Sequence, residues 1–147
     1  MPQRYFTLDQ AEALLPEVER RIRQAMQIKT DHSASEDAFN QYRRRVAFSG
    51  GMIVDRSQLL SLRARTDALV MRLKEVLSEI ESFGVQVKDL DTGLLDFPTM
   101  YHGHVVLLCW RLGEDRIRYW HGLEEGFRGR KEIDSEFLSH HRGDSVE

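Results

Sequence analysis

The chain has 147 residues, 41 % of them hydrophobic and 31 % charged, which supports one domain with its own core and excludes a disordered chain. Its 21 Lys and Arg against 24 Asp and Glu give a net charge of −3, and neither half is a basic body of the kind that grips a phosphate backbone, so nucleic acid is disfavoured as a partner. The lone cysteine, Cys109, excludes an internal disulfide and fits a reducing, cytoplasmic setting, and no signal peptide or apolar run long enough to span a bilayer is present.

In chain order, Thr7 and Gln10 form a capping-box start, which predicts a helix from Leu8. Leu8, Ala11, Leu15, Val18, Ile22 and Ala25 continue it at helical spacing to near Thr30, with Pro16 predicting a kink or a short first piece. Residues 31–35 read as a polar break, with Ser35 as the cap of a short helix over 36–47, ended by Gly50 and Gly51. A second long helix is predicted from about Ser57 to Phe83. Its seam is Leu59, Leu62, Thr66, Leu69, Leu73, Val76, Ile80 and Phe83, and Leu60, Val70 and Leu77 flank it. The stripe is wider than one partner helix requires, which predicts a further contact with the sheet or with another subunit. Gly84 stops the helix.

Beyond Gly84 the period changes to that of strands: 85–87, 93–97 closed by Pro98, 105–112 and 116–121, with a turn at 112–115. Gly122 to Arg130 reads as a glycine-spaced loop and residues after Ile133 as a polar tail. The predicted fold is α+β, one domain: a long helical hairpin with a short helix, packed on a three- to four-stranded antiparallel sheet.

With a two- or four-residue turn, His102, His104 and His121 converge at one end of one sheet face, and Arg111, Arg116, Arg118 and Trp120 share the other with Cys109. A three-residue turn swaps the assignment. The three imidazoles, or two with a carboxylate, have the chemistry to ligate a divalent metal such as Zn²⁺, with Asp96 or Glu124 as base. Ordinary sheet-edge histidines are the commoner outcome of such a pattern. Asp96 interrupts an apolar strand and must find a partner when buried, an arginine of the next strand being the expected one. Arg111, Arg118, Arg128 and Arg130, with Trp120, offer a ligand-binding surface for a carboxylate or phosphate, against the plainer reading of salt bridges to nearby acids. Cys109 reads as a small buried hydrophobe, because the favoured register puts His104 and His121 on the opposite face.

The strings Gly93-Leu94-Leu95-Asp96-Phe97-Pro98, Leu108-Cys109-Trp110-Arg111-Leu112-Gly113-Glu114, Tyr119-Trp120-His121 and Gly126-Phe127-Arg128-Gly129-Arg130 resemble those of a small bacterial family known only as a domain of unknown function. The resemblance runs from Tyr5 to Ile133. It implies that Asp96, Trp110, Trp120, His121 and Arg130 belong to a shared motif, and it brings no reaction or cofactor. The leading expectation is a non-enzymatic, homodimeric cytoplasmic module that binds a partner or a small ligand. A small metal-dependent hydrolase and an anion or nucleotide binder are the alternatives.

Overall fold

The computed structural model describes residues 3–48 and 56–144. Helix α1 spans Leu8–Phe48 and α2 spans Arg56–Ser82. They run antiparallel, Arg21 facing Glu79 and Ser35 facing Thr66. α1 starts where the capping box closes: Thr7 N–H donates to Gln10 Oε1 at 3.0 Å and Gln10 N–H to Thr7 Oγ1 at 3.1 Å. It then passes through Pro16 and through residues 31–35 without interruption. The expected break is absent, and its Ser35 hydroxyl is satisfied inside the helix pair. One residue before that segment, Thr30 Oγ1 donates back to the Met26 carbonyl at 3.2 Å. Thr66 Oγ1 donates to the Leu62 carbonyl, so in the 2.7 Å contact between Ser35 Oγ and Thr66 Oγ1 it is Ser35 that donates. Ser35 is an interhelical bond rather than a cap, and the expected short helix is the far end of α1. Gly50 and Gly51 lie outside the described residues.

The sheet has six antiparallel strands: β1 Gln86–Asp89, β2 Leu94–Tyr101, β3 His104–Arg111, β4 Tyr119–Gly122, β5 Lys131–Glu132 and β6 His141–Arg142. Their order is β1-β2-β3-β4-β5, and β6 pairs with β2. The α+β class and the helix pair on an antiparallel sheet are as expected. The sheet is wider than expected because β5 and β6 are two-residue pairings, too short for alternation to show in sequence. The short helix of the fold is α3, Ser135–His140, in the segment read as a polar tail; Asp134 caps it by accepting the Phe137 N–H at 2.9 Å. β2 runs on through Pro98. β1 pairs only as far as Asp96 and β6 only from Met100, so Pro98 sits in the gap, where its carbonyl takes the Phe6 N–H at 2.7 Å and a missing donor is not felt.

One face of the sheet carries Leu95, Phe97, Leu108 and Trp110 against Leu15, Val18 and Ile22 of α1, Ile80 of α2 and Phe137 of α3. A second small cluster, Ala25, Ile28 and Val76, marks where the helices leave the sheet. Past Ser35 no described α1 residue is buried, and before Val76 no α2 residue is, so the distal hairpin is a two-helix arm reaching about 20 Å beyond the body. None of the described helices is long and apolar enough to cross a membrane.

Tight turns position the strands. Gly93 joins β1 to β2 with φ +69, and a Cβ there would lie 2.6 Å from Leu112 Cβ. Gly93→Ala is expected to cost about 2 kcal/mol or more, from left-handed backbone strain plus the clash, read as a lowered urea midpoint with unchanged slope.

Candidate functional site

Which residues share a sheet face is decided by the β3–β4 register. Cys109 stands opposite Tyr119 and Leu107 opposite His121, across a seven-residue connection, 112–118. An odd count inverts the assignment that a two- or four-residue turn gives. His121 therefore lies with Leu107 and Cys109, on the face away from the helices, and Trp120 lies with Leu108 on the helix-covered face. From β2, Asp96 faces Cys109 directly.

Asp96, Cys109 and His121 thus meet, buried, in the middle of the sheet's second face. One donor atom from each lies within 4.8 Å of the others. His121 Nδ1 is 2.8 Å from the Gly122 carbonyl, which can only accept, so Nδ1 carries a proton. His121 Nε2 is 3.0 Å from Asp96 Oδ1, and that contact needs one further proton, held as an imidazolium beside a carboxylate or as a carboxylic acid beside a neutral imidazole. Either way the pair is neutral as a whole. Burial pushes the Cys109 thiol up to about 12, the Asp96 carboxyl adding to the effect by its charge and as acceptor of the thiol proton, while Arg130 opposes it. At neutral pH it is a thiol, not a nucleophile.

A pH dependence follows from the sign of that shift. The folded state holds the thiol proton more tightly than the unfolded chain, so the associated stability is fully present below the ordinary value of 9.0 and is lost as pH rises towards about 12. Melting temperature is expected to fall across that window in the native protein and to fall less in Cys109→Ala.

The loop 123–130 folds back over this face. The Arg130 guanidinium lies 4.0 Å from the Tyr119 ring centroid and 4.6 Å from that of Phe127. Its Nη2 donates to both carboxylate oxygens of Glu114, at 2.9 and 2.6 Å, and Glu114 also accepts the Arg111 N–H at 2.7 Å. The Lys131 ammonium, with the Gly122 N–H, holds the Glu125 carboxyl below the usual range and ties the loop's far end.

The other residues singled out in sequence are dispersed. His102 sits at the β2–β3 turn with φ +50, 5.0 Å from the His140 ring and 3.8 Å from Glu136; His104 is exposed on the helix-side face. Neither approaches His121, so the three-histidine convergence does not form: the connection has the wrong parity for it. Arg118 pairs with Asp115 and holds that carboxyl below its usual range. It also borders a cleft of about 540 Å³ with Asp9, Glu12, Arg116 and Ile117. Arg111 lies 5.6 Å from the Phe127 ring centroid, and Arg128 and Glu124 are exposed on the covering loop. Trp120, expected among the arginines, instead packs on Tyr101 and Phe137 at 5.2 and 5.1 Å. Asp96 was expected beside an arginine and has His121 instead. Cys109 is the residue that sequence reasoning left out of the cluster, and the parity of the connection was the signal that would have included it.

Among protein families, the chain matches one described as an uncharacterized conserved protein (DUF2203), over residues 4–133. No curated protein and no solved structure matches the chain.

Proposed function

Because the chain belongs to the DUF2203 family of uncharacterized conserved proteins, we propose a role that rests on its surfaces alone: a non-enzymatic, cytoplasmic, homodimeric binding module. The observation that carries this reading is on α2. Its inward row, Leu62, Thr66, Leu69, Leu73 and Val76, faces α1, and a second row, Leu60, Ala64, Ala68 and Met71, lies on the opposite side in steps of four, four and three. Leu60 is 69 % exposed and Met71 67 %. A two-helix arm covers its own seam only partly, and burying this outer row against a second copy supports it.

An antiparallel pairing of α2 with its equivalent about a two-fold axis near Ala68 also matches charge. The half before the axis carries Arg56, Arg63 and Arg65 against Asp67, and the half after it Glu75, Glu79 and Glu81 against Arg72 and Lys74. The sheet face and its loop are left free for a partner, and the buried free thiol suits a reducing compartment.

Light scattering on a size-exclusion peak is expected to give twice 17.2 kDa at micromolar concentration, and Met71→Glu is expected to weaken the dimer at least ~10-fold. A native protein that runs as a monomer throughout that range ends the proposal.

A further inference from the structure

We propose that Asp96, Cys109 and His121 form a binding site for one divalent cation of the Zn²⁺ class, independent of the arm and its pairing. The three side chains come from three adjacent strands locked in register, Asp96 on β2, Cys109 on β3 and His121 on β4, so the backbone ladder fixes their positions. Their donor atoms already lie within 4.8 Å of one another. Around a tetrahedral Zn²⁺ with Zn–S of ~2.3 Å and Zn–N and Zn–O of ~2.0–2.1 Å, ligand atoms stand roughly 3.3–3.7 Å apart, so small side-chain rotations bring all three onto one ion. The His121 ring is oriented as a metal-binding imidazole is: Nδ1–H is spent on the Gly122 carbonyl at 2.8 Å, and Nε2 is aimed at Asp96 and away from solvent.

Charge balance makes the exchange compatible with burial. The cluster holds two exchangeable protons, one between His121 and Asp96 and one on the Cys109 sulfur. Releasing both while a divalent ion enters leaves a neutral imidazole, a carboxylate and a thiolate around a double positive charge. The buried group is neutral before and after, so no net charge is carried into the interior. One sulfur, one nitrogen and one oxygen donor select a borderline ion such as Zn²⁺ or Co²⁺ and reject Mg²⁺ and Ca²⁺, which want oxygen alone. Entry is through the 123–130 loop, whose residues 123–128 are exposed. The three protein donors leave a fourth position for water.

The test is a Co²⁺ titration of the untagged full-length protein, reduced and oxygen-free, followed by absorbance. The expected result is a near-ultraviolet thiolate-to-cobalt band with tetrahedral visible bands, saturating at one equivalent and bleached by Zn²⁺, with Zn²⁺ raising the melting temperature. Cys109→Ala removes one donor to Asp96, whose carboxyl keeps its bond to His121, and should fold, melt cooperatively, and show neither the band nor the Zn²⁺ shift. His121→Gln should bind at least 10-fold more weakly. A folded native protein with no band and no shift overturns the proposal, as does cobalt binding that survives undiminished in Cys109→Ala and so belongs to the exposed His102 and His140. Oligomeric state is read separately, so this result does not bear on the dimer.

Discussion

Asp96→Ala is expected to lower stability by about 3–5 kcal/mol, while Asp96→Asn costs no more than ~1 kcal/mol. The alanine leaves His121 Nε2 buried with no partner in the only direction its ring can face, because the Gly122 carbonyl fixes the other nitrogen. The asparagine replaces the shared proton by an amide: its Nδ2–H donates to a neutral Nε2 and its Oδ1 accepts from the Cys109 thiol. His121 and Cys109 each keep a partner and no charge is buried. Urea denaturation of the three proteins at neutral pH checks the ordering. A loss as large in Asn as in Ala would show that an ion pair, rather than satisfied hydrogen bonding, holds this face together.

Phe137→Ala is expected to cost about 3–5 kcal/mol, as much as a substitution in the centre of the core. The ring is fully buried although it lies on a helix of six residues near the end of the chain. It stacks on Trp120 at 5.1 Å, on Tyr101 at 4.6 Å and on the His141 ring at 5.2 Å. Its helix delivers His141, whose Nδ1 donates to carbonyls of α3 and whose Nε2 accepts the Leu8 N–H at 2.9 Å, satisfying one of the open donors at the start of α1. Losing the ring therefore loosens a cap on the other side of the molecule. Truncation after Ile133 should match or exceed the cost of Phe137→Ala, measured by thermal melting followed at the near-ultraviolet Trp bands.

The parts of this structure that were legible in sequence are those set by local periodicity. Thr7 and Gln10 announce α1, the row from Leu62 to Ile80 announces α2, and the alternation after Gly84 announces an antiparallel sheet. What was not legible depends on groups distant in sequence. Residues 31–35 look like a break because they are polar, and they stay helical because Thr66, on the other helix, accepts the Ser35 hydroxyl. Phe137 is the one large apolar core residue in an otherwise polar segment, with no repeat around it to reveal a helix. The composition of the cluster turned on a single integer, the length of the 112–118 connection. That length is fixed by one local and one distant anchor: the Trp110 indole donates to the Glu114 carbonyl at 3.1 Å, and the Ile117 N–H donates to Glu12 on α1 at 2.8 Å.

The clasp between the first described strand-like segment and residues 141–144 has a bearing on biosynthesis. Tyr5 N–H donates to the Asp144 carboxylate at 3.1 Å and Asp144 N–H to the Tyr5 carbonyl at 2.9 Å, a pairing across 139 positions. A growing polypeptide leaves the ribosome at about 5–20 residues per second, and such a closure must wait for translation to pass Asp144. The nascent protein first appears as a helical hairpin closed by nearby contacts, with the outer edge of β2 unfilled. Closing the body is then the last of these steps, and a chaperone that shields that edge has a defined interval in which to act.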